Sequence, residues 1–225
     1  GYCPELKGAL SPSGTMPQIA RPMTESNLQI PTLAQAMIEA GRLFHSCGWV
    51  PATGGNFSAK LNDQRMLITA SGGHKGELTE ADFLVADLDG KPLDASRKAS
   101  YETLLHTQLY RHDPAIGCVL HVHSVANTVL SRRLQKVNLS GYELLKLLPG
   151  INTHDTSVDV PVFANDQDIP RLAARVDAYM REHARMQTPA YLIAGHGLYA
   201  WGATVAQARH RVEALEFMFE CELRS

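Results

Sequence analysis

Cys118-Val-Leu-His121-Val-His123-Ser124 is the stretch on which the reading of this chain turns. With the residues before it, it alternates as a half-buried strand does. Ile116, Cys118, Leu120 and Val122 fall on one side, and Gly117, Val119, His121 and His123 on the other. Strand side chains two apart share a face, so both imidazoles project into one space. Two neutral imidazoles held side by side suit a divalent metal such as zinc. A third candidate, His196, sits between glycines in Gly195-His-Gly197, just after the apolar run Tyr191–Ala194. Three histidines leave a coordination position open, as a catalytic zinc site does and a closed structural site does not.

Outward from this strand, patterning predicts strands and helices in mixed order. Leu33, Met37, Ala40, Gly41 and Phe44 recur at helical spacing, with Gly48 at the stop. Strands are expected around 57–61, 65–69, 83–87 and 158–163, and as a pair around Gly195-His-Gly197. Helices are expected over 100–111, 124–134, 141–148 and 168–182, with Asp168 as a cap. A last amphipathic helix opens at Thr204-x-x-Gln207, a capping-box pattern. Strands joined by both short turns and helices predict an α/β fold: a mixed, mainly antiparallel central sheet covered by helices on both sides. Residues 1–31 are rich in Pro, Gly, Ser and Thr and read as a flexible N-terminal extension, leaving 32–225 as one domain.

With 225 residues, 44% of them hydrophobic and 20% charged, the chain can bury a sizeable core. A net charge of −2 offers no basic field for nucleic acid or an anionic membrane. No apolar run or leader-like segment stands out. The four cysteines, Cys3, Cys47, Cys118 and Cys221, lie far apart, so reduced thiols and a cytoplasmic protein are expected.

Several residues near the histidines carry chemistry. Glu102 and His106 are four apart on the helix preceding the histidine strand. They are either a surface pair or a carboxylate brought to the metal as ligand or proton handler. Glu143, among Leu144, Leu145 and Leu147, is either a desolvated acid–base group or a solvated partner of Lys146 or Lys136, the second being the commoner case. The glycine-rich stretches Thr53–Ser58 and Ser71–Gly76 look like anion sites. Glycines let backbone N–H groups converge, and Asn56, Ser58, Ser71 and Lys75 add donors. Beside a three-histidine centre, two such loops point to a phosphorylated substrate.

Taken in order, Gly-Gly-Asn-Phe-Ser58, Ser-Gly-Gly-His-Lys-Gly76, Ala-Ser-Tyr-Glu-Thr-Leu-Leu-His106, His-Val-His-Ser124 and Gly-His-Gly-Leu-Tyr-Ala-Trp-Gly202 resemble the class II aldolase/adducin family from about residue 33 to 223. Trp49-Val-Pro-Ala-Thr53, His74-Lys-Gly76, Tyr142-Glu143 and Asn165-Asp-Gln-Asp168 are similar to a dehydratase branch rather than to the sugar-phosphate aldolases. Thr53-Gly-Gly55 departs from that branch, which carries serines there. The resemblance implies a homotetramer with active sites at subunit interfaces and one zinc ion (Zn2+) per subunit on His121, His123 and His196. It implies dehydration of a small phosphorylated sugar gripped by Asn56, Ser58, Ser71, Gly72 and Lys75. It also implies catalytic roles for Glu102 and Glu143. An aldolase or epimerase would use the same metal. An adducin-like interaction domain would lack the three histidines, and a structural zinc site would need a fourth tight protein ligand.

Overall fold

The histidine strand, β4 (Cys118–Val122), lies near the middle of an eight-stranded sheet and is buried on both faces, not half-buried as the alternation predicts. The computed structural model describes residues 25–183 and 188–225. The other strands are β1 (Asn56–Asn62), β2 (Arg65–Thr69), β3 (Phe83–Asp87), β5 (Lys136–Ser140), β6 (Ser157–Phe163), β7 (Ala190–Ile193) and β8 (Gly197–Gly202). Their order is β3-β2-β1-β4-β8-β7-β6-β5. Every pair is antiparallel except β6–β7, so the expected mixed, mainly antiparallel sheet is what forms.

Helices cover both faces. On one, α1 (Glu25–Ser46), α3 (Val125–Arg133) and α5 (Val205–Arg224) pack over Cys118, Leu120 and Val122. On the other, α2 (Thr103–His112) and α4 (Ile169–Glu182) cover Val119, Tyr191, Tyr199 and Trp201. The two alternating sets of β4 therefore enter two separate cores, which is why one strand can be wholly buried and still carry histidines. Leu172, Val176 and Met180 form the buried stripe of α4, and burying each such side chain contributes about 1.5–3 kcal/mol.

The caps follow the sequence pattern. Ser124, Asp168 and Thr204 accept from the backbone N–H groups of Asn127, Arg171 and Gln207. Each such cap is worth about 1 kcal/mol. The Gln207 side chain turns back to the N–H of Ala203 at 2.8 Å, one residue before the cap.

Four expectations need correction. First, α1 starts at Glu25 and contains Pro31, so part of the supposed extension is helical. A proline in a helix costs one hydrogen bond and argues for a boundary, which is why the sequence reads otherwise. Residues 1–24 lie outside the described residues. Second, β5 was not expected. Its apolar residues Val137 and Leu139 are only two, and it is an edge strand made by pairing with β6. Third, α2 starts at Thr103, three residues after its expected start. Fourth, the segment expected as a helix over 141–148 is a short 3-10 turn, Glu143–Leu147. Among the described residues no helix is long and apolar enough to cross a membrane.

Candidate metal centre and active site

His121 lies on β4 opposite Tyr199 of β8, and His123 follows at the strand end. His196 sits in the tight turn between β7 and β8, where Gly195 adopts φ +64. Gly197 must be small: a Cβ there would lie 2.3 Å from the Val122 carbonyl oxygen and 2.9 Å from the His121 ring. The glycines flanking His196 thus bring its ring against the other two.

The three Nε2 atoms converge. His121 and His123 approach to 2.8 Å, and His121 and His196 to 3.3 Å. All three potential ligand atoms lie within 4.8 Å of one another. The Nδ1 of His121 is 2.9 Å from the carbonyl oxygen of Leu198, so Nδ1 carries the proton and Nε2 is left bare toward the other rings. Burial pushes the His121 pKa well below its ordinary value and that of His123 down to about 4, so both are neutral at physiological pH. Uncharged imidazoles with convergent lone pairs and one backbone-anchored tautomer are a donor set that fits zinc.

Glu102 borders this cluster at the N-terminal end of α2. Its Oε1 is 2.9 Å from His196 Nε2, and its Oε2 is 3.4 Å from His121 Nε2. Oε2 also accepts from Asn56 Nδ2 at 2.8 Å and from the Tyr199 hydroxyl at 2.9 Å. Burial alone would raise its pKa. The adjacent His121 and His196 and the bond from Asn56 outweigh it, holding the carboxyl well below the usual range and ionised. Of the two sequence readings of Glu102, the geometry supports the one that brings it to the histidines.

A cavity of about 290 Å³ opens in front of the cluster, lined by residues that include His123, His196, Glu102, Asn56, Ser71 and Lys75. Lys75 is 2% exposed, and its Nζ donates to the carbonyls of Gly73 (2.6 Å) and Thr53 (3.1 Å). Burial lowers its pKa, partly offset by Asp82. An ammonium has three N–H donors, so one is left for an anion.

A family model described as the class II aldolase and adducin N-terminal domain matches residues 35–223. The chain belongs to this family. It is 54% identical over 194 residues to a methylthioribulose-1-phosphate dehydratase of Pseudomonas aeruginosa, covering 85% of this chain and 94% of that protein. It is also 54% identical to one of Methylococcus capsulatus, with 86% and 94% covered. Among solved structures, the L-fuculose-1-phosphate aldolase of Thermus thermophilus superposes with a TM-score of 0.70 at 28% identity, covering 86% of this chain and 95% of that one.

The class II aldolase fold gathers His121, His123, His196, Glu102, Asn56, Ser71, Gly72 and Lys75 around one cavity. It does not bring Ser58 there. Ser58 is fully buried under α2, its hydroxyl 2.7 Å from both His106 Nδ1 and the Tyr110 hydroxyl. Asn56 lines the cavity, but both ends of its amide are committed, to Glu102 and to His106 Nε2. These partners withdraw Ser58 and the Asn56 side chain from the expected phosphate set. Glu143 does not line the cavity of its own chain. It is exposed and bonded to Lys146, which lowers its pKa, contrary to a desolvated carboxyl.

Two residues in the site escaped the sequence reading. Tyr199 stacks on the His121 ring at 3.9 Å, besides donating to Glu102. Alternation from Gly197 along β8 would have placed it on the histidine face. Tyr101 lines the cavity, and no spacing marks it.

Proposed function

We propose that this chain is a zinc-dependent methylthioribulose-1-phosphate dehydratase. It removes water from 5-methylthioribulose 1-phosphate to give 2,3-diketo-5-methylthiopentyl 1-phosphate, a step of methionine salvage in the cytoplasm. The observation that carries this reading is one cavity lined by His123, His196, an ionised Glu102 and the buried Lys75, with His121 converging on the other two imidazoles from behind. The 54% identity to dehydratases of that name supports the choice of substrate.

His121, His123 and His196 would hold one zinc ion per subunit, which would supply Lewis acidity to the reaction. Lys75, Ser71 and the backbone at Gly72 grip the phosphate, fixing the reacting carbons against the histidines. Glu102, ionised and beside His196, is placed to accept the C3 proton. Glu143 protonates the departing C4 hydroxyl. In its own chain it is solvated, so this role places it in a neighbouring subunit's cavity, within a homotetramer whose active sites lie at subunit contacts. Burial there would raise its pKa toward that of a general acid.

The zinc-loaded protein incubated with 5-methylthioribulose 1-phosphate should give a diketone lighter by one water, with phosphate retained and formation blocked by chelator. Retro-aldol cleavage of a ketose 1-phosphate instead would establish an aldolase, the activity named for the Thermus structure. A protein that holds zinc and does neither would reject both.

A further inference from the structure

His106 closes the Ala99–His106 motif, and the proposed chemistry gives it no task. It is fully buried on α2, one turn beyond Glu102, and does not line the cavity. Both ring nitrogens are engaged. Nδ1 lies 2.7 Å from Ser58 Oγ, and Nε2 is bonded to Asn56 Oδ1. Ser58 Oγ is in turn 2.7 Å from the Tyr110 hydroxyl. The path Tyr110–Ser58–His106–Asn56–Glu102 runs unbroken from the interior of the α2 layer to the histidine cluster.

The direction of every bond in this path follows from the setting of the Asn56 amide. Its Nδ2 donates to Glu102 Oε2 at 2.8 Å, and its carbonyl oxygen faces His106. That oxygen needs a donor, so His106 carries its proton on Nε2. Its Nδ1 is then bare and accepts from Ser58, whose oxygen accepts from Tyr110. The reverse sense would set the amide oxygen of Asn56 against a carboxylate oxygen, two acceptors in contact.

We propose that His106 is a positioning residue. As the Nε2–H tautomer it fixes the orientation of the Asn56 amide, which with Tyr199 caps Oε2 of Glu102 and leaves Oε1 as the working oxygen beside His196. Burial agrees with an uncharged ring, pushing the His106 pKa down to about 4 against the opposing effect of Glu102. The catalytic consequence rests on the dehydratase reading. The tautomer does not.

The test has two arms. In protein labelled with nitrogen-15 in histidine, the His106 signals, assigned by their loss in His106→Gln, should show the Nε2–H tautomer with and without zinc. An Nδ1–H tautomer or an imidazolium would overturn the proposal whatever the enzyme turns over. In the second arm, His106→Phe removes the donor to Asn56, whereas the amide of His106→Gln can still supply it. His106→Phe should lower kcat about tenfold or more with KM within about twofold, the size typical of a residue behind a metal site. His106→Gln should recover kcat to within about threefold of wild type. Equal kcat in the two folded variants would overturn the positioning role. If His106→Phe does not fold, the tautomer still decides. A wild-type protein with the expected tautomer and no dehydratase turnover would overturn the functional reading and leave the hydrogen-bond path standing.

Discussion

Glu102 and Glu216 are both glutamates taken out of water, on opposite sides of one sheet, and their environments push them in opposite directions. Glu102 meets histidines, the Asn56 amide and the Tyr199 hydroxyl, and stays ionised. Glu216, on α5 among the apolar residues behind β4, has one short bond, from Asn127 Nδ2 at 2.7 Å, and its Oε2 has no hydrogen-bond partner. Burial raises its pKa to about 7, with Ser124 and Asn127 offsetting only part. Glu216 lies deeper, and it is also given fewer polar partners. A charge is sustained inside this protein where β1, α2 and β8 all deliver polar groups to one point, and is suppressed where only Ser124 and the Asn127 amide offset burial.

The sharpest way to break that comparison is to dismantle the polar side. His121→Ala should abolish metal retention and lower turnover by about 10⁴-fold or more, read by metal analysis and the diketone assay. Turnover that survives loss of the metal would leave Glu102 without its proposed setting. Next is the third carboxylate, which in its own chain belongs to neither class. Glu143→Gln should keep its zinc and lose about 10²- to 10⁴-fold in turnover, the range of a general acid. Near-normal activity would return Glu143 to the role of a surface partner of Lys146.

Glu216 provides the pH test. Its ordinary pKa of 4.5 is raised to about 7 in the folded chain, so folding holds the proton more tightly. Below about pH 4.5 both states are protonated and nothing is lost. As pH rises through the interval to 7, the unfolded state releases the proton first and stability falls. By about pH 8 the loss should approach 3 kcal/mol. Denaturant titrations of Glu216→Gln should lack this slope, and a slope identical to wild type would show the carboxyl to be ionised in place. The smallest effect is structural: Thr204→Ala removes the cap of α5 and should cost about 1 kcal/mol with turnover unchanged. A fall in turnover would mean that the back layer is not as separate from the site as its packing indicates.

Much of this was readable from spacing. The period of two in β4 put His121 and His123 on one face, and the glycines around His196 marked a turn where a larger residue would collide with the His121 ring. Caps at Ser124, Asp168 and Thr204 were legible because their bonds are local. What stayed hidden was long-range. Ser58 and Asn56 look alike in a glycine-rich stretch, and only α2, some fifty residues on, covers one and engages the other. The burial of His106 depends on the same layer. The start of α1, from Glu25 to Pro31, was hidden for a different reason, since Pro31 carries a local penalty that the rest of a 22-residue helix absorbs.

The separation of 75 positions from His121 to His196 also bears on the order of folding. The two rings meet only when β8 has paired with β4, and loop closure over such a distance is slow and comes at an entropic cost. A chain folded only as far as β4 and α3 has two of the imidazoles and no third. The full ligand set is therefore a property of the finished sheet, and an ion that needs all three recognises completed molecules alone. Zinc at about a thousand times its dissociation constant would then deepen the native state by about 4 kcal/mol while leaving early intermediates untouched, so its first effect on kinetics should be to slow unfolding.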